Sequence, residues 1–234
     1  MKVILASGSP RRRELLARTK LDFTILSVDV DETWHNDESP ADYIERMVAT
    51  KANAAIQQLN QTTNINQDGA TSCMILTSDT IGVLADGKTV LVKPTNREHA
   101  YTMWQQMSDT EHEVWTAVQA TLLALKPRAL DSTSEGTLDN ASEYGPVFQI
   151  TDQQHILERT SVTFIALTQA MMSDYWDSGE PADKAGGYGI QGLGAAWVSR
   201  INGSYTNVVG LPLAQTLALI KDMTPDSEKS VNSL

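Results

Sequence analysis

Cysteine is nearly absent from this chain of 234 residues, where Cys73 stands alone. One thiol excludes an internal disulfide framework and any multi-cysteine metal centre. Long apolar runs are also missing. After Met1-Lys2 only Val3, Ile4, Leu5 and Ala6 are apolar, too short for a secretory core. No stretch approaches the ~18 apolar residues needed to cross a bilayer. Positive charge is scarce, with 18 Lys and Arg against 29 Asp and Glu and a net charge of −11. That balance disfavours nucleic acid and anionic membranes as partners. The four histidines, at 35, 99, 112 and 155, have neither metal-ligand spacing nor a triad context and read as incidental. Serine-nucleophile and Walker-type phosphate motifs are absent. These absences lead to the expectation of a soluble cytoplasmic protein.

Apolar material is ample. Hydrophobic residues make up 41% and charged residues 20%, enough for one large domain or two small lobes sharing a core. "KVILA" (2–6) reads as a buried strand ended by Ser7-Gly8-Ser9, and Ser9-Pro10 as a helix start with Ser as cap. "ESPADYIERMVATKANAAIQQL" (38–59) repeats that cap grammar and carries helical apolar spacing, with Lys51 beside the stripe. "CMILTSDTIGVL" (73–84) predicts a strand interrupted at Thr77 to Thr80, and "ADGK" (85–88) a tight hairpin. Residues 95–107 should be a helix, while 111–125 and 160–167 alternate as antiparallel strands do. A helix at 168–179, a strand and turn at 195–203 and a helix at 211–223 complete a mixed α/β reading.

"LASGSPRRRELLA" (5–17) is the first motif with chemical content. Arg11, Arg12 and Arg13 fall in the first turn of a helix, where the dipole disfavours cations. Arginines on helices are commonly just solvated. Here, however, a strand–turn–helix unit offers backbone amides and hydroxyls to an anion, and guanidinium groups bind phosphate bidentately. Asp79 in "TSDT" reads as ending an apolar strand, either as an ordinary turn residue or as a carboxylate that activates water or holds a cation. Asp29, Asp31 and Glu32 in "VDVDET" read either as a solvated acidic loop, the commoner case, or as carboxylates that suit Mg²⁺ if a phosphate completes the site. "SGEPADKAGGYGIQG" (178–192) holds five of the fourteen glycines; there Gln191 could pair with a base edge, or the glycines could form a structural bend.

Taken in order, "LASGSPRRRELL", "DET", "TKA", "SDT", "LVKP", "EPADKAGGYGIQG" and "GSYTNVVGLP" resemble the Maf family of nucleotide pyrophosphatases over nearly the whole chain. The resemblance implies a two-lobed α/β fold with a mixed sheet and a central cleft, similar to that of inosine-triphosphate pyrophosphatases. It covers 1–223 as a single domain with 126–146 as its main exception; by its composition 126–150 reads as a mobile insertion and 224–234 as a tail. It further implies a homodimer that uses Mg²⁺ or Mn²⁺ to hydrolyse nucleoside triphosphates to monophosphate and pyrophosphate. "SPRR", "SDT" and "GIQG" look like the branch acting on dTTP and UTP. By that likeness Asp79 is the proton acceptor, and Arg11, Thr80 and Gln191 bear on base specificity. Ser9, Arg12, Lys51 and Lys93 face phosphate, and Glu32 joins Asp79 at the metal. Two other readings stay open: the same chemistry on modified nucleotides, and a nucleotide-sensing regulator without turnover.

Overall fold

In a computed structural model of the chain, the described residues are 1–35, 37–61, 71–127 and 146–225, without the Asp183 side chain. Strand β1 (Lys2–Ala6) leads through Ser7-Gly8-Ser9 into helix α1 (Pro10–Ala17) and strand β2 (Phe23–Leu26). Pro10 fixes the first turn, but the Ser9 side chain caps nothing; its N–H donates to Ser7 Oγ at 3.2 Å. Helix α2 (Pro40–Gln61) does have a side-chain cap, with Ser39 Oγ accepting from the Asp42 N–H at 3.2 Å. Next come β3 (Ser72–Val83), β4 (Val90–Leu91), α3 (Arg97–Met107), β5 (Glu111–Lys126) and β6 (Val147–Phe164). Helix α4 (Gln169–Asp177), three short 3₁₀ turns, β7 (Val198–Asn202), α5 (Tyr205–Val209) and α6 (Leu213–Met223) complete the order.

Among the described residues seven strands form one mixed sheet in the order β2-β1-β3-β5-β6-β7, with β4 on the upper part of β3. β1 runs parallel to β2 and β3, and the remaining pairs are antiparallel. Side chains alternate across this sheet and divide the core. Val3, Leu5, Met74 and Leu76 pack with Leu15 and Leu16 of α1 and with Leu219, Ile220 and Met223 of α6. Ile4, Ala6, Cys73 and Ile75 point the other way, toward Ala55 of α2.

Three expectations are revised. β3 is not interrupted at Thr77 to Thr80, because β5 pairs with it continuously from Ser72↔Ala124 to Val83↔Glu113. Asp79 therefore lies within the strand instead of ending it. β6 begins at Val147, thirteen residues before the expected start, and Val147–Ile150 with Lys126 belong to the β5–β6 ladder instead of an insertion. Its first half is polar and solvent-facing from Ile150 to His155, so no alternation betrays it. The rest of the expected insertion, 128–145, lies outside the described residues. Thr224, read as the first tail residue, is buried and bonded to the Ile220 carbonyl; the remainder of the tail from 226 is outside the description.

His112, read as incidental, is fully buried among Phe164 and Tyr188, and its Nε2 meets Tyr188 Oη at 2.8 Å. Burial pushes its pKa down to about 4. The unfolded imidazole titrates near ~6.5, so between that pH and 4 the unfolded chain binds the extra proton and stability falls as pH drops. Urea unfolding should show roughly 3 kcal/mol lost across that window on this account, present in the parent and missing in His112→Gln. Identical pH slopes in the two proteins would contradict it.

Candidate active site

The site sits where the sheet opens. On the β1 side, β3 is paired up to Leu5↔Leu76, and β4 pairs only from Gly82↔Leu91. Thr77–Ile81 therefore have no strand neighbour on that edge, because β1 has already turned into Ser7-Gly8-Ser9. A cleft of about 990 Å³ fills the gap. This is where parallel strands present their carboxyl ends, the usual ligand position in α/β sheets. Asp79 lies just past the parallel part of β3, so its location matches the reason it was singled out although the strand continues.

Ser9, Arg11, Arg12, Glu32, Lys51, Asp79, Thr80, Lys93 and Gln191 all line this cleft, whereas Asp29 and Asp31 do not; Asp31 Oδ1 instead accepts from the Thr33 N–H and hydroxyl. Strand alternation sends Asp79 toward α2 and Thr80 toward the opposite face. Lys51 follows Val48 by one helical turn on the buried side of α2, and its Nζ reaches Asp79 Oδ1 at 2.6 Å and Glu32 Oε1 at 2.9 Å. Asp79 and Lys51 are each only 8% exposed. Asp79 Oδ2 makes no hydrogen bond to another described residue. Lys93 Nζ stands 3.9 Å from Glu32 Oε2. Partial burial would raise the Glu32 pKa, but the Lys51 hydrogen bond and charge, with Lys93 and Arg12, hold it below the ordinary carboxylate value. Tyr43 fixes the Glu32 loop by donating to the Glu32 carbonyl at 3.0 Å; its ring stacks on Trp34 with centroids 4.8 Å apart. Burial first, then Asp79 and Glu32, push the Tyr43 phenol up to about 12, so it stays a donor.

On the other face, Arg12 Nε donates to the Gly210 carbonyl at 2.8 Å and Nη2 to Thr80 Oγ1 at 3.0 Å. Thr80 Oγ1 meets Thr116 Oγ1 at 3.0 Å, and Thr116 donates its one proton to the Asn207 carbonyl at 3.1 Å. A single directed chain results: Arg12 to Thr80 to Thr116 to the Asn207 carbonyl. Burial lowers the Arg12 pKa and neighbouring Asp79 opposes that shift. Thr80, expected to bear on base specificity, thus has its hydroxyl committed to Arg12. Arg11 and Arg12 are half-buried and Arg13 is exposed.

Sequence reasoning missed Gly210, Thr116 and Asn207. The segment "GSYTNVVGLP" enters the sequence reading as one motif of the family resemblance, with no role assigned to its residues. Its purpose is visible in space. Asn207 is fully buried and ties α5 to Val114 and Thr160, and Gly210 at φ 125 ends α5 so that its carbonyl faces Arg12. A side chain there would be strained by that backbone angle.

Residues 2–223 match the family described as Maf-like protein. A curated relative from Psychrobacter cryohalolentis, named dTTP/UTP pyrophosphatase, is 67% identical over 229 residues, covering 95% of this chain and 97% of its own. One of the same name from Hahella chejuensis is 37% identical over 221 residues, covering 94% and 92% respectively. Among solved structures, that of the Staphylococcus aureus Ham1 protein covers 70% of this chain and 72% of that one at TM-score 0.39 and 10% identity, too slight a likeness to argue from.

Proposed function

The chain belongs to the Maf family, and we propose from that premise that it hydrolyses dTTP and UTP to the monophosphate and pyrophosphate. The observation that carries this reading is Lys51 joining Asp79 and Glu32 in the cleft that also holds Arg12, Lys93 and Gln191. Hydrolysis of this kind is mainly positioning and charge neutralisation. Lys51, Lys93 and the free edge of Arg12 meet the triphosphate, with Ser9 and the α1 amides at its phosphates. Asp79, through Oδ2, accepts a proton from the water whose oxygen bonds to the α-phosphorus. The bond from that phosphorus to the bridging oxygen breaks, and its electron pair leaves on pyrophosphate.

A divalent cation, Mg²⁺ or Mn²⁺, suits the donor set, since Glu32 and Asp79 bring hard oxygens to one ammonium at 2.9 and 2.6 Å. Such a cation takes one or two protein carboxylates and completes its shell from phosphate and water, where it neutralises charge. Gln191, whose side-chain amide has no hydrogen-bond partner among the described residues, offers a donor and an acceptor to the edge of a uracil or thymine ring. The working partner is a second copy of this chain and the compartment the cytoplasm, with neither nucleic acid nor membrane as ligand. No helix among the described residues is long and apolar enough to cross a membrane.

The test is a nucleoside-triphosphate panel with Mg²⁺, scored by pyrophosphate release. kcat/KM for dTTP and UTP should exceed that for ATP and GTP by roughly 10- to 100-fold, the worth of one or two lost hydrogen bonds. Equal turnover of purines would remove the pyrimidine assignment. A modified pyrimidine processed faster than both would shift the reading to modified nucleotides. Tight binding without turnover would leave a sensor.

A further inference from the structure

The glycine-rich segment after α4 has one carboxylate at its centre. Glu180 opens the first 3₁₀ turn (Glu180–Asp183), and the last (Leu193–Trp197) folds back onto it. Its Oε2 accepts from the Leu193 N–H at 2.8 Å, and its Oε1 accepts from Tyr175 Oη at 2.7 Å and from the Gly194 N–H at 3.4 Å. Tyr175 Oη in turn accepts from the Gly189 N–H at 3.0 Å, and Lys184 Nζ donates to the Glu180 carbonyl at 2.6 Å. Residues 189 to 194, with Gln191 in their middle, are thus drawn around a single side chain.

The glycines are the steric condition for that wrap. A Cβ at Gly192 would stand 2.3 Å from Glu180 Oε2, one at Gly194 2.7 Å from Tyr175 Oη, and one at Gly189 2.9 Å from Lys184 Cε. None of these three has a left-handed backbone. What they permit is the close approach of backbone to the carboxylate and its partners. Partial burial would raise the Glu180 pKa, but the bonds from Tyr175, Leu193 and Gly194 hold it below the ordinary value, so the group is ionised and accepts at every contact.

We propose that Glu180 is the positioning residue for base selectivity, its carboxylate fixing the turn that presents Gln191 to the pyrimidine. This rests on the pyrimidine-triphosphate reading above. The Glu180 carboxylate takes no part in the phosphorus chemistry, and Asp79, Lys51 and Arg12 belong to other elements. Loss of the clamp therefore acts on recognition more than on turnover.

Two variants and two readouts test this. Glu180→Gln keeps the volume but turns an NH₂ toward donors that need an acceptor. Tyr175→Phe keeps the buried ring and deletes only the hydroxyl between Glu180 and Gly189. In Glu180→Gln, KM for dTTP should rise and the preference for dTTP over GTP should fall by roughly tenfold or more, the weight of one hydrogen bond to a charged group, with kcat changed much less. Amide exchange at Gly189, Leu193 and Gly194 should accelerate by a similar factor, and Tyr175→Phe should move both quantities the same way by less. Unchanged selectivity in Glu180→Gln beside a selective parent overturns the proposal, as does a fall in kcat with selectivity intact. A parent that shows no pyrimidine preference defeats the parent reading, and the selectivity role with it. Exchange rates that do not respond to either variant remove the clamp itself, whatever the substrate.

Discussion

Asp79→Asn is expected to slow pyrophosphate release from dTTP by roughly 10²- to 10⁴-fold, the usual weight of a positioned general base. Nucleotide binding, read by calorimetry, should persist. The substitution is close to isosteric, and the backbone at this position stays locked between Ser78↔Val118 and Thr80↔Thr116 on β5. It removes one charge from a buried pair, yet Lys51 is not stranded, because Glu32 Oε1 remains 2.9 Å from its Nζ. The phosphate-facing cations are all kept. A slow variant that still binds would place the loss in the chemical step. A rate within a few-fold of the parent would take Asp79 out of the proton-accepting role and leave it as a partner of Lys51 alone.

How far the sequence could have been read this way differs from residue to residue. Lys51 was legible as a cation beside an apolar stripe, since α2 has clean helical periodicity, but its two acidic partners come from β3 and a loop far away in sequence. Asp79 was legible as a carboxylate after an apolar run. That the run continues as a strand was not, because continuity comes from pairing with β5, and pairing leaves no mark on β3 itself. The polar half of β6 was invisible for a related reason: residues 150–155 face solvent, so they lack alternation. Arg12 was nominated for phosphate through the family likeness and not through local spacing, since Arg13 also stands three residues from Leu16. The Arg12 fork onto Gly210 and Thr80 spans 198 and 68 residues of sequence and could not be inferred locally. The glycines of 178–192 were counted without their reason, which depends on where Glu180 folds.

One physical feature unites the legible and the hidden parts. β1 is shorter than β3, so the sheet leaves an edge of β3 uncovered where polar residues replace apolar ones. Those residues cannot be buried without partners at acceptable cost. Each face of the strand answers with its own solution. Toward α2, Asp79 takes an ammonium, and toward α1 and α5, Thr80 takes a guanidinium anchored on a glycine carbonyl. The two solutions leave cations on both sides of one opening, and a polyanion fits such an opening.

Lys51→Met gives the second large effect, and it separates stability from catalysis. Removing the ammonium leaves the Asp79 carboxyl buried near Glu32 with no local cation of comparable proximity. Breaking a buried pair in this way costs on the order of 3–5 kcal/mol, here toward the lower figure because Glu32 remains 47% exposed. Pyrophosphate release should fall together with urea resistance, so the single variant cannot say which loss matters. The double variant Lys51→Met with Asp79→Asn can. Deleting the stranded charge should return a large part of the lost stability, because a neutral amide tolerates that site better than an unpaired carboxylate. Activity should not return, since the water-activating oxygen and the phosphate-facing cation are both gone. Recovery of stability without activity is the expected signature of a pair whose charges hold each other in the fold while each serves the substrate. A double variant less stable than Lys51→Met alone would show that Asp79 supports β3 by some means other than its bond to Lys51.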